Sequence, residues 1–203
     1  MRVTAAIGVI ATLSAATVSA VAEEHAPRTA HTSVALLSGY GFQLDSLLSS
    51  GVSAYRFGFG TRAGVTLPFG GYVGGTFVAH VGTNVLGTRG GTSTYVAIAH
   101  DTYLGPELGY DFALWRLLLR PYVGGGALVA LGKTAVGHAS ASDDNVFFYV
   151  APGALAAYRF GDFFAGLDLR IPIVPALSSN KWAPAAMLVV GTELSTGASS
   201  GPR

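Results

Sequence analysis

Along residues 54–67 the odd positions are Tyr55, Phe57, Phe59, Thr61, Ala63, Val65 and Leu67, and the even positions are Arg56, Gly58, Gly60, Arg62, Gly64 and Thr66. Successive side chains of a strand point to opposite faces, so this period of two predicts a strand with one apolar face and one face of glycine and charge. The alternation returns along the chain and predicts strands over 33–44, 54–67, 72–85, 95–112, 117–132, 146–160, 163–174 and 184–195. The connections alternate in length. Short ones fall at 68–71, 113–116 and 161–162, the last beginning with glycine as a type II′ hairpin requires. Longer ones rich in serine, threonine and asparagine fall at 45–53, 86–94, 133–145 and 176–183.

This pattern predicts an all-β fold, an eight-stranded antiparallel up-and-down transmembrane β-barrel with both chain ends on the short-turn side. A soluble barrel of the lipocalin kind shares the period but turns its charged face to water. Glycine separates the two. On the charged face lie Gly39, Gly41, Gly58, Gly60, Gly64, Gly74, Gly82, Gly105, Gly109, Gly124, Gly126, Gly153, Gly166 and Gly191, whereas the opposite face has chiefly Gly75 and Gly125. An eight-stranded barrel is barely wide enough for side chains, so long charged residues inside it need neighbours with none. On a solvent face the same glycines would only weaken strands.

The inward register then collects a lumen charge network: Arg56, Arg62, Arg120, Arg159 and Arg170 facing Asp101, Glu107, Asp111, Asp168 and Glu193. On the lipid face each arginine would cost about 2–4 kcal/mol near the midplane. Inside, the charges can satisfy one another. The expectation is a polar, plugged lumen. Phe69, Tyr110, Phe112, Trp115, Phe160 and Phe163 fall near the short turns, and Tyr55, Phe148 and Trp182 toward the other rim, as interfacial belts predict.

Composition agrees with a lipid-facing exterior. Half of the 203 residues are hydrophobic and only 11% are charged, less than half the usual share for a soluble domain. A net charge of +1 without charged blocks leaves no electrostatic footprint for nucleic acid. The opening MRVTAAIGVIATLSAATVSAVA reads as a secretory signal peptide over 1–22, followed by a short segment 23–32, the barrel over 33–195 and a flexible tail over 196–203. No cysteine is present, so disulfides contribute nothing.

At LRPYVGGGALVAL (119–131) and PGALAAYRFGDFFAGLDLRIP (152–172) the chain resembles the bacterial outer-membrane β-barrel domain family, the small barrels of the OmpA and OmpX type. The resemblance implies a cell outer-membrane location, insertion by the barrel assembly machinery, and outer-membrane lipid and lipopolysaccharide as surroundings, for a monomer. It implies no single activity. The chain departs from the family pattern at its last strand, which closes as LVVGTELS without a terminal aromatic.

Candidate chemistry is sparse. His138-Ala139-Ser140 resembles the His-x-Ser element of lipid A deacylases, but the nearby acids Asp143 and Asp144 share its predicted loop and no glutamate follows on the next strand. His100 falls outward among Val96, Ile98 and Leu104, which suggests a bulge or a rim position. Scattered histidines offer no metal set, and the Gly124–Gly126 run lacks the strand-to-helix setting and lysine of a phosphate loop. The sequence therefore points to a structural or surface-binding role with no catalytic, cofactor or metal site. A narrow channel for small or hydrophobic solutes and a lipid-modifying enzyme stand as alternatives.

Overall fold

The computed structural model describes residues 29–42, 55–81, 85–89, 93–136, 139–176 and 182–195. The expected leader and tail lie outside them, as do His138, Lys181 and the side chains of Arg56 and Asp143.

The strands are β1 (His31–Phe42), β2 (Tyr55–Thr66), β3 (Gly71–Val81), β4 (Val85–Arg89), β5 (Ser93–Tyr110), β6 (Phe112–Leu114), β7 (Leu117–Val136), β8 (Ala139–Phe160), β9 (Phe163–Arg170) and β10 (Ala185–Ser195). All pairings are antiparallel, and β1 pairs with β10 from His31↔Ser195 to Gly41↔Ala185. That ladder closes the sheet. Because β4 continues the β3 edge along β5, and β6 continues β5 along β7, the wall is an eight-stranded up-and-down barrel. Closure through β1 and β10 pairs the ring on both sides, as a bilayer requires, whereas among the described residues the long-connection extensions, β4 and the first part of β8, pair on one side.

Three connections differ from expectation. Of residues 133–145, expected as a loop on their serine, threonine and asparagine content, 133–136 and 139–145 instead extend β7 and β8 in one ladder from Leu117↔Tyr158 to Val136↔Ala139. The segment holds no proline and a single glycine, Gly137, so nothing in its backbone chemistry interrupts pairing. The expected loop 86–94 likewise contributes β4 and the start of β5. Conversely, the strand expected to reach Val174 stops at Arg170, and Ile173 makes only isolated bridges to Val150 and Trp182. Pro172 and Pro175 lack the N–H that a continuing ladder needs.

At the short-turn end, Leu67 to Gly70 form a β-turn closed by Gly70 N–H donating to the Leu67 carbonyl at 2.8 Å, with Pro68 second and Gly70 fourth. The short connection expected over 113–116 shrinks to two residues, Trp115–Arg116 between Leu114↔Leu117, and Gly161–Asp162 between Phe160↔Phe163 is the two-residue turn expected.

Among the described side chains the two faces alternate as the sequence predicts. Leu36, Val73, Leu104, Leu108, Val123, Leu167, Leu188 and Val190 are exposed on the outside, while Ala35, Leu37, Tyr72, Tyr103, Glu107, Tyr122, Asp168, Met187 and Val189 beside them are buried inside. The interior is not polar throughout, however. Leu37, Val78, Leu118, Leu155, Met187 and Val189 form one buried apolar cluster, and Tyr103, Leu128, Tyr149 and Val174 form another. The charged groups lie between and beside these clusters.

Candidate functional site: the ion-paired lumen

Of the ten expected network residues, the structure brings Arg62, Asp101, Glu107, Asp111, Arg120, Asp168 and Arg170 into the buried interior. Arg159 and Glu193 lie at the short-turn mouth, and for Arg56 only the backbone position on β2 is described. Among the described residues, the ion pairs fall into four groups along the bore.

The largest group joins β2, β5, β7 and β9. Arg62 Nε lies 2.7 Å from Glu107 Oε2, and its Nη2 donates to Glu107 Oε1 and Asp168 Oδ2, each at 3.1 Å. Arg170 donates to Asp168 Oδ2 through Nε at 3.1 Å and through Nη2, and Tyr122 donates its hydroxyl proton to Asp168 Oδ1. Two guanidinium groups thus meet two carboxylates, and the group is formally neutral. Burial of such charges is tolerable only with this degree of pairing and hydrogen bonding.

Nearer the turns, Arg120 grips Asp111 through Nε and through Nη2 at 2.8 Å, while Thr66 Oγ1 donates to Asp111 Oδ2 at 2.8 Å. The Arg120 guanidinium lies 3.6 Å from the centroid of the Tyr72 ring. A bidentate fork stacked on an aromatic face is a site for arginine and not for lysine. At the mouth, Arg159 donates to Glu193 Oε1 at 2.9 and 3.2 Å, with His31 Nε2 3.7 Å from the same oxygen. This pair borders a vestibule of about 350 Å3 that is also lined by Thr29, Thr66, Asp111 and Asp162.

Toward the long connections, His80 Nδ1 lies 3.9 Å from Asp101 Oδ2. The His80 ring meets Tyr103 edge-on at 5.6 Å, and Tyr103 meets Tyr149 edge-on at 5.1 Å. His80, Tyr72, Tyr122, Tyr103 and Tyr149 were missed as lumen residues in the sequence. Their signal was available, since each falls in the same register as a charged or glycine position.

These rings also revise the role of the glycines. A Cβ on Gly64 or Gly74 would strike the Tyr72 ring, one on Gly153 the Tyr122 ring, and one on Gly58 the His80 ring. These four glycines make room for aromatic rings, and arginines stack on two of those rings, Tyr72 and Tyr122. The guanidinium of Arg62 lies 4.6 Å from the Tyr122 centroid.

His100 faces outward opposite Val81 and Leu131, where β5 passes from the β3 ladder to the β4 ladder and the register changes by one residue. Ala139 and Ser140 begin β8, so they do not belong to an open catalytic loop. Among the described residues, no group of three or more histidines and acids could hold a metal ion.

A closed eight-stranded barrel, apolar outside and ion-paired inside, is a transmembrane β-barrel. No family model and no curated relative matches the chain. Solved structures share the architecture, and two of them are as follows. One is a major outer membrane protein from Thermus thermophilus, 12% identical, with a TM-score of 0.57 over 82% of this chain and 100% of that one. The other is Ail, the attachment invasion locus protein of Yersinia pestis, in complex with the heparin analogue sucrose octasulfate. It is 13% identical, with a TM-score of 0.51 over 81% of this chain and 97% of that one. At such identities the likeness is one of fold.

Proposed function

We propose that this chain is an integral protein of the bacterial outer membrane whose lumen is plugged, and that it serves a structural or surface-binding role without catalysis. The observation that carries this is the neutral Arg62–Glu107–Asp168–Arg170 group, which occupies the bore with side chains from three strands, joined there by Tyr122 from a fourth. A conducting path would have to part these pairs and strand desolvated charges, a loss of several kcal/mol. The apolar exterior with aromatic residues at the short-turn rim supports the membrane setting.

In this reading the partners are outer-membrane lipid and lipopolysaccharide around the wall and the barrel assembly machinery during insertion. The barrel works as a monomer and does not engage nucleic acid. Its surface-binding face is the long-connection end, where β7 and β8 run furthest.

Planar-bilayer recording tests the plug. The purified protein should insert without a steady open conductance, and a stable open pore would replace this reading with the narrow-channel alternative. Fractionation tests the location: the protein should remain with outer membranes through carbonate extraction.

A further inference from the structure

Two of the hairpin loops at the short-turn end have the same length and make the same backbone demand. In each two-residue loop the first residue has positive φ, 68° at Gly161 and 55° at Trp115. Glycine takes that conformation freely, whereas a bulky side chain does so only against a steric penalty. Trp115 is the one non-glycine residue with positive φ among the described residues. Turn formation alone would favour glycine there, as at Gly161, so the indole stands against backbone preference.

The surroundings indicate what the indole serves. Trp115 is 84% exposed. The guanidinium of the next residue, Arg116, lies 5.1 Å from the indole centroid, and its Nη1 donates to the hydroxyl of Tyr158 at 3.4 Å. The Arg116 carbonyl accepts from Arg159 N–H at 2.8 Å, which fixes the loop against β8. Arg62, Arg120, Arg159 and Arg170 each have a carboxylate partner, but Arg116 has none among the described residues. Its cation stands on the outside of the barrel, at the end of the apolar wall formed by Phe112, Leu114, Leu117, Phe160 and Phe163.

An uncompensated guanidinium at the edge of a lipid-facing wall lies at the depth of the headgroup phosphates. Its fork of donors suits two oxygens of one phosphate, and the exposed indole N–H and the tyrosine hydroxyl supply further donors. We propose that Trp115, Arg116 and Tyr158 form a binding site for the phosphodiester of a phospholipid headgroup in the leaflet at the short-turn end. The proposal rests on the membrane reading above.

Native mass spectrometry of the full-length protein in an uncharged maltoside detergent tests it, with phosphatidylglycerol, the matching diacylglycerol and inorganic phosphate titrated separately. The wild type should bind phosphatidylglycerol at least ~tenfold more tightly than diacylglycerol, and R116Q should lose about tenfold while R116K keeps part of the affinity. W115G should fold with an equal or higher urea midpoint and still bind the lipid several-fold more weakly, an outcome that a purely structural turn residue would not give. Equal binding by R116Q and wild type would overturn the site. Binding of inorganic phosphate as tight as that of the lipid would overturn its assignment to a lipid. Vesicle insertion, measured in parallel, separates the two readings: a wild type that stays in the aqueous phase defeats the membrane reading, whereas normal insertion with unchanged lipid affinity in R116Q defeats this site alone.

Discussion

The Asp168 group and the Arg159–Glu193 pair use the same chemistry and differ in access to water. Asp168 is fully buried and accepts from Arg62, Arg170 and Tyr122. The side chains of Arg159 and Glu193 are 20% and 17% exposed and border the vestibule. Where water cannot follow, a carboxylate depends wholly on its partners, and losing one leaves an uncompensated charge. Where water reaches, it substitutes for a lost partner. The comparison assigns different roles to two ion-paired sites that look alike in the sequence.

The largest effect should come from removing a guanidinium at the sealed site. Arg62→Ala leaves Glu107 and Asp168 with one arginine between them, and should cost about 3–5 kcal/mol by analogy with broken buried pairs. Urea midpoints and heat-modifiable gel migration of the refolded variant would register the loss. A midpoint within error of the wild type would mean that water reaches the bore and that the two sites do not differ.

Next in size is a charge placed on the other side of the wall. Leu104 is exposed on the lipid-facing side of β5, between the inward positions Tyr103 and Gly105. Leu104→Arg should cost about 2–4 kcal/mol if its depth is near the midplane, with less toward either interface. Measured in vesicles, a cost close to zero would make the exterior a water-facing surface and restore the lipocalin-like alternative.

A smaller effect is expected from Gly153→Ala, which alters no charge. The added Cβ would run into the Tyr122 ring. The ring must shift, and its hydroxyl would then leave Asp168 Oδ1, so overpacking and a lost charge-assisted hydrogen bond act together. A loss of about 1–3 kcal/mol follows. If Gly153→Ala in a Tyr122→Phe background cost as much as in the wild type, the hydrogen bond would be shown to contribute little and packing nearly all.

The barrel and its register were legible because a period of two is a local property that closure does not alter. Each of Arg62, Glu107, Arg120 and Asp168 could be assigned to the inner face from its strand neighbours alone. Which of them meet was not legible, because partners such as Arg62 and Asp168 are 106 residues apart and depend on the stagger between strands. The reach of the β7–β8 ladder was misread because serine, threonine and asparagine content suggested a loop, although no proline intervenes to remove a ladder donor. Tyr72 and Tyr122 were missed for a different reason. An aromatic residue is amphipathic enough for either face, so their inward register beside Gly74, Arg120 and Gly124 was the signal, and the glycines they pack on show that a ring fits inside.

The smallest effect should come from Arg159→Ala. Arg159 places two donors on a single oxygen of Glu193, Oε1, so the other carboxylate oxygen does not depend on it. Once the arginine is gone, water in the vestibule can hydrate Glu193, and His31 remains 3.7 Å from Oε1 as a second partner when protonated. The surviving acid is therefore not stranded, and the loss should be about 1 kcal/mol or less, as for solvent-accessible pairs. Because accessible pairs are screened, the difference between Arg159→Ala and wild type should also shrink between low and high salt, while that for Arg62→Ala should hardly change. Urea titrations of both variants at two ionic strengths provide the test. If the two variants lost equal stability with equal salt dependence, burial would not be what separates the sealed group from the mouth pair.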